Sequence, residues 1–229
     1  VRWQHPDKGI QPPAAFIHIA EQNGLILPIG QRVLHQACKQ LARWWQQDHT
    51  HCRLSVNLSA RQFNEPHLLK GICQLICQYE LDPAWLEIEV TESILINDLS
   101  DSIKTLNALR DIGIGIALDD FGTGYSSLSY LKKLPITTLK IDQSFIKELP
   151  EDSKSCAITH LLLGLATKLG MRVVAEGVET FEQYEFLKNE GCDLIQGYYF
   201  SPPVSNRKLE AMLHQKYHQA PALSAPGIH

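Results

Sequence analysis

Residues 114–127 read IGIALDDFGTGYSS: an apolar run stops at two adjacent aspartates, Asp119 and Asp120, and a loop with two glycines follows. Consecutive aliphatic residues are what a strand buried on both faces requires. Neighbouring carboxylates repel, so solvent and a capping role, a Lys or Arg, or a metal ion must offset them. Five other runs have the same character: RLSVNLS (53–59), WLEIEVTE (85–92), ITTLKID (136–142), MRVVAEG (171–177) and DLIQGYY (193–199). Between the runs, apolar residues recur at helical spacing over 28–45, 65–80, 99–113, 153–170 and 180–191. Gly113, Gly170 and Gly191 stand where a helix should stop.

Strands alternating with helices imply parallel strands and crossover connections, in an open doubly wound sheet or a (β/α)8 barrel. No GxGxxG or GxxxxGK[ST] follows any of the six runs, which disfavours a nucleotide-binding open sheet. The strand ends carry Asn57, Glu89, Asp119 with Asp120, Lys140, Glu176 and Gln196. A barrel gathers one residue from each strand on its C-terminal rim, whereas an open sheet spreads them along a line. The expected fold is therefore α/β, a TIM-like (β/α)8 barrel. Eight strands are needed and six are legible, so the N-terminal strands are expected upstream of Val1. The barrel is expected over 1–214, with 215–229 a disordered tail.

Net charge is −4 and no Lys/Arg run resembles a phosphate-backbone footprint, which argues against a nucleic-acid polymer as partner. No stretch approaches the roughly 20 apolar residues of a membrane span, and no signal peptide opens the chain. The six cysteines lack metal-type pairing and read as reduced thiols of a cytoplasmic domain. Cys73 and Cys77, at helical i, i+4 spacing, are expected to pack rather than bind zinc, and His49 and His51 to lie in a solvated loop.

Asn57, Glu89, Asp119, Asp120 and Glu176 are oxygen donors, which select Mg²⁺, Mn²⁺ or Ca²⁺ over zinc. Two such ions, about 3.5–4 Å apart with a bridging aspartate, serve phosphoester hydrolysis. Lys140 would orient the attacking water or stabilise developing negative charge. Taken singly, each residue has a plainer reading: a strand-end Asp caps a helix, Asn57 caps the next one, Glu89 and Glu92 face solvent, Gln196 opens a turn. Six such ends on six successive strands outweigh these readings. The DFG at 120–122 lacks the HRD loop of a kinase.

These residues carry a family resemblance. RWQHP (2–6), FIHIAEQNGLI (16–26), VNLSARQF (56–63), EVTES (89–93), LDDFGTGYSSL (118–128), LKIDQSFI (139–146), VVAEGVET (173–180) and QGYYFSPPV (196–204) together resemble an EAL domain, the cyclic di-GMP phosphodiesterase family, from Val1 to about Val204. The resemblance implies hydrolysis of cyclic di-GMP to linear pGpG with Mg²⁺ or Mn²⁺ in a two-metal site, and a homodimer. It implies that Asn57, Glu89 and Asp119 ligate metal, with Asp119 and Asp120 serving the second ion. Lys140 would position the attacking water, and Glu176 would be an acid near the second metal. Gln196 would lie on the rim and Arg2 would meet a substrate phosphate. Glu92 would anchor the loop 121–127, coupling dimer packing to metal binding, and Asp142 and Glu179 would support the site. The family's Glu-Ala-Leu, with its metal-binding glutamate, falls immediately before Val1. The chain by itself is thus expected to turn over little substrate, and its parent could be membrane-anchored through upstream regions. A non-catalytic cyclic di-GMP receptor is the alternative, and a structural scaffold a weaker third.

Overall fold

A computed structural model describes residues 1–47, 52–96, 99–122 and 131–217. His49, His51, most of the 121–127 loop and residues 218–229 lie outside the described residues. The chain opens with an antiparallel hairpin, β1 (Trp3–His5) and β2 (Gly9–Gln11), then helices α1 (Ile17–Asn23) and α2 (Ile26–Gln46). There follow β3 (Leu54–Asn57), α3 (Ala60–Phe63), α4 (Leu68–Gln78), β4 (Leu86–Thr91), α5 (Glu92–Ile96) and α6 (Leu99–Ile112). The second half comprises β5 (Gly115–Phe121), β6 (Thr138–Ile141), α7 (Gln143–Ile146), α8 (Ser153–Leu169), β7 (Arg172–Ala175), α9 (Phe181–Asn189), β8 (Leu194–Ile195) and α10 (Asn206–Tyr217).

Strands β3 to β8 form one parallel sheet whose spatial order is the chain order. A doubly wound sheet reverses its strand order at a switch point, and none occurs here. Successive neighbours with helical crossovers curl a sheet toward a barrel, so the expected TIM-like architecture is what the described residues form as a six-stranded arc. Strand alternation divides the side chains. Ile88, Ile116, Leu118, Leu139 and Val173 are buried in the core with Leu106, Leu109, Leu162 and Ala166 of the helices. The alternate set, beginning with Glu87, Glu89, Thr138 and Lys140, is buried and polar.

Gly113, Gly170 and Gly191 end their helices with φ of +102°, +71° and +79°, as a left-handed stop requires. The hairpin β1–β2 and the short α3, α5 and α7 carry too few residues for a period to show. Helix α10 runs to Tyr217, past the expected boundary at 214. It is clasped to α2: Asn206 Nδ2 donates to Gln40 Oε1 at 3.2 Å, and Gln40 Nε2 and Trp44 Nε1 donate to Glu210 Oε1 at 2.9 and 3.3 Å. Cys73 and Cys77 are exposed on α4, contrary to the packing expected of them. The helix buries Leu68 and Ile72 instead, and turns both thiols outward.

Candidate active site

Register gathers the rim residues. Asn57 lies opposite Glu89 across β3 and β4, and Thr91 opposite Asp119 across β4 and β5. Between β5 and β6, Leu118 pairs with Leu139 but Phe121 with Ile141, so the aspartate pair contains one extra residue. This is a β-bulge, which breaks alternation and re-aims side chains. Asp120 accordingly takes φ +54°, a left-handed conformation that short polar residues tolerate better than most.

The group that offsets Asp119 is Lys140. Its Nζ lies 2.9 Å from Glu89 Oε2, 2.9 Å from Asp119 Oδ1 and 2.8 Å from Glu176 Oε1, with the lysine side chain 6% exposed. Asn57 Nδ2 donates to Glu89 Oε2 at 2.7 Å, joining β3 to the cluster. Burial works to lower the pKa of Lys140, but Glu89, Glu176 and Asp119 together outweigh it and hold the ammonium above its ordinary range. Burial pushes the Glu176 carboxyl up, against the pull of Lys140. Asp120 is raised too, by burial first and then by repulsion from Asp119 and Asp142.

A second polar layer lies one strand rung below. Glu87, two residues before Glu89, accepts from Ser55 Oγ at 2.9 Å, Thr138 Oγ1 at 2.7 Å, Arg172 Nη2 at 3.1 Å and Arg53 Nη1 at 3.4 Å. Four strands are thereby tied beneath the site. A Cβ on Gly115 would come within 3.2 Å of Glu87 Oε2, so glycine leaves the carboxylate its room. Sequence reasoning stopped at the strand ends and missed this layer. The polar residues at i−2 from Asn57, Glu89 and Lys140 were its signal.

Above the sheet the rim loops are interlocked. A Cβ at Gly177 would fall 2.5 Å from Gln143 Cβ, and one at Gly197 would fall 1.9 Å from Val178 O. Val178 N–H donates to Gln196 O, and Tyr199 N–H to Val178 O. A cavity of about 1080 Å³ opens beside the cluster, lined by Glu89, Asp120, Lys140, Glu176 and Gln196 among others.

Of the expected residues, the ion-pair cluster thus unites Glu89, Asp119, Lys140 and Glu176, Asn57 joins it by hydrogen bond, and Asp120 and Gln196 face the shared cavity. Arg2 stands apart: it is exposed, its Nη1 donates to Val1 O at 2.7 Å, and it is not among the cavity's lining residues. Glu92 is half-buried at the start of α5, immediately after β4, and the loop assigned to it lies mostly outside the described residues. Asp142 caps α7 through Ser144 N–H and lines the large cavity, and with Glu179 it also lines an adjoining pocket of about 360 Å³.

Among the described residues, no three His, Cys, Asp or Glu side chains are grouped to hold a cation. The point on which Glu89, Asp119 and Glu176 converge is held by the lysine ammonium. The donor set still fits a hard divalent ion. All its ligating atoms are oxygens, and three carboxylates share one ammonium with Asp120 on the same cavity, leaving excess negative charge for cations to offset.

A family model described as EAL domain matches residues 1–203. The bifunctional diguanylate cyclase/cyclic di-GMP phosphodiesterase MucR of Pseudomonas aeruginosa is 43% identical over 92% of the chain and 31% of its own length. The cyclic di-GMP phosphodiesterase NbdA of the same organism is 40% identical over 97% of the chain and 29% of its length. The chain thus spans about a third or less of these relatives. The solved structure described as PaMucR phosphodiesterase in complex with c-di-GMP superposes with a TM-score of 0.88 at 43% identity, covering 91% of the chain and 84% of that structure.

Proposed function

Because the chain belongs to the EAL domain family, we propose that it forms the catalytic barrel of a phosphodiesterase that hydrolyses cyclic di-GMP to linear pGpG in bacterial second-messenger signalling. The observation that carries this reading is the buried Lys140 ammonium between Glu89, Asp119 and Glu176, beside a cavity of about 1080 Å³. Asn57, Glu89, Asp119 and Asp120 would hold Mg²⁺ or Mn²⁺, which supplies positive charge to the phosphoryl oxygens and activates water.

The chain's own groups divide the remaining work. Lys140, held protonated, serves as a hydrogen-bond donor and not as a base. Its three N–H donors are committed to carboxylates, so it engages a water only when one of those pairs opens. Glu176, raised by burial, accepts the proton of the attacking water. The water oxygen bonds to phosphorus, the phosphorus–O3′ bond breaks, and the proton taken up by Glu176 passes to the departing O3′. Gln196 contacts substrate at the rim. Arg2 would reach a substrate phosphate only by moving from its present position. Free cysteines, with no disulfide among the described residues, support a cytoplasmic setting.

We also assign a homodimer. Ile158, Leu161 and Leu169 on α8 are 40%, 60% and 37% exposed and, with Leu165, form one apolar stripe at helical spacing that a second copy would cover.

The test is hydrolysis of cyclic di-GMP in Mg²⁺ or Mn²⁺, with pGpG followed by chromatography, on protein carrying its native upstream residues. Turnover should fall at least about 100-fold in Asp119→Asn. Protein beginning at Val1 should turn over less than the extended form, because the resemblance places a further glutamate ligand upstream. The ammonium held among the carboxylates gives the receptor reading its support. Tight binding without turnover in the extended form would establish that reading and overturn catalysis.

A further inference from the structure

A second cavity, of about 560 Å³, lies between α2 and α4 and shares no lining residue with the active-site cavity. Its floor is apolar: Leu34, Leu68 and Ile72 are buried there, with Leu27 and Leu75 half-buried beside them. Two features distinguish it from a gap in packing. The first is Gly71 in its wall. Glycine inside a helix destabilises it relative to alanine, so its presence needs a reason. Gly30 of α2 has one, because a Cβ there would collide with Gln62 Nε2. Gly71 has none within the fold: its φ is not left-handed, and a Cβ would meet nothing within 4 Å. The second is Gln62, which lines the cavity and is 7% exposed. Its Oε1 accepts from Ser59 N–H and Oγ at 3.3 and 3.1 Å, while its Nε2 has no acceptor among the described residues. The sealed, unpartnered side-chain atom among those residues is Thr159 Oγ1, so Gln62 Nε2 keeps access to the space beside it.

The charges around the cavity say what it would take. Lys70 is exposed on its wall and forms no ion pair among the described residues. Helix α4 starts after His67 with no side-chain cap, which leaves N–H groups and partial positive charge at that end. His35 is occupied by the Tyr79 hydroxyl at 2.9 Å. Glu65 is the one acidic lining residue, and it also borders a pocket of about 300 Å³ on the α6 side. Donors without acceptors thus stand over an apolar floor. We propose that this cavity binds a small amphipathic acid, with its apolar body on Leu34, Leu68 and Ile72 and its carboxylate toward Gln62 Nε2, Lys70 and the start of α4. Its size is that of a site for a small organic ligand. The site is independent of the phosphodiesterase reading.

The experiment titrates octanoate, below its micellar concentration, into wild type, Gly71→Leu and Lys70→Gln by calorimetry, with 1-octanol as the uncharged counterpart. Wild type should bind one octanoate per chain and prefer it to octanol. Gly71→Leu places a side chain in the space, so octanoate should bind at least about 10-fold more weakly, while the thermal midpoint stays at or above that of wild type. Lys70→Gln should weaken octanoate roughly 2- to 10-fold and leave octanol unchanged. Absence of saturable binding to wild type, equal affinity for octanol, or undiminished affinity in Gly71→Leu each overturns the proposal. If Gly71→Leu is destabilised, Lys70→Gln decides in its place, and equal affinity for octanoate in that variant and wild type overturns the site.

Discussion

Thiol chemistry separates residues that look alike in the sequence. Burial pushes the Cys38 and Cys192 thiols up to about 11, whereas Cys73 and Cys77 stand exposed. A thiol with a pKa three units above the pH is about one-thousandth thiolate, the reactive form. At pH 8 an aromatic disulfide reagent should therefore label Cys73 and Cys77 first, and Cys38 and Cys192 only after unfolding. Peptide mapping of the labelled sites checks this, and early modification of Cys38 would contradict the burial. The same contrast marks what single residues reveal. Glu89, Asp119 and Lys140 were legible because each ends an apolar run. Glu87 was not, because a glutamate alternating with aliphatics reads equally well as a solvent-facing position. Arg2 was expected from its motif alone, with no period or spacing to fix where its side chain goes.

Elements register fit more than identity. Gly197→Ala forces a methyl group into the Val178 backbone, which cannot swing aside as a side chain can. The variant should lose at least ~1–3 kcal/mol, the usual cost of overpacking, read as a lower thermal midpoint and weaker binding at the rim. Gly71 offers the control: in helix α4 a Cβ would meet nothing within 4 Å. Gly71→Ala should stabilise by about 0.5–1 kcal/mol, through reduced freedom of the unfolded chain. Long periodic helices such as α2 and α8 were readable because tertiary packing demanded the apolar stripe that the sequence shows. The β5 bulge was hidden, since its extra residue exists only relative to the register of β6.

The whole molecule is ordered by a sheet in which every strand pairs with its predecessor in the chain. That order vindicates the inference from strand ends, because only a curling sheet brings six successive termini toward one place. Its outer surface bears the apolar stripe of α8. Leu161→Glu, at a position 60% exposed, should leave the fold intact and shift the protein from dimer to monomer in sedimentation. A wild type that sediments as a monomer at all concentrations would remove the dimer.

The clasp between α2 and α10 has a consequence for synthesis. Each strand of the sheet can dock as soon as it leaves the ribosome, because its partner has already emerged. Glu210 must find Gln40 and Trp44, which precede it by 170 and 166 residues. The sheet can thus be laid down in the order of translation, while its outer fastening waits for α10, the last of the described helices.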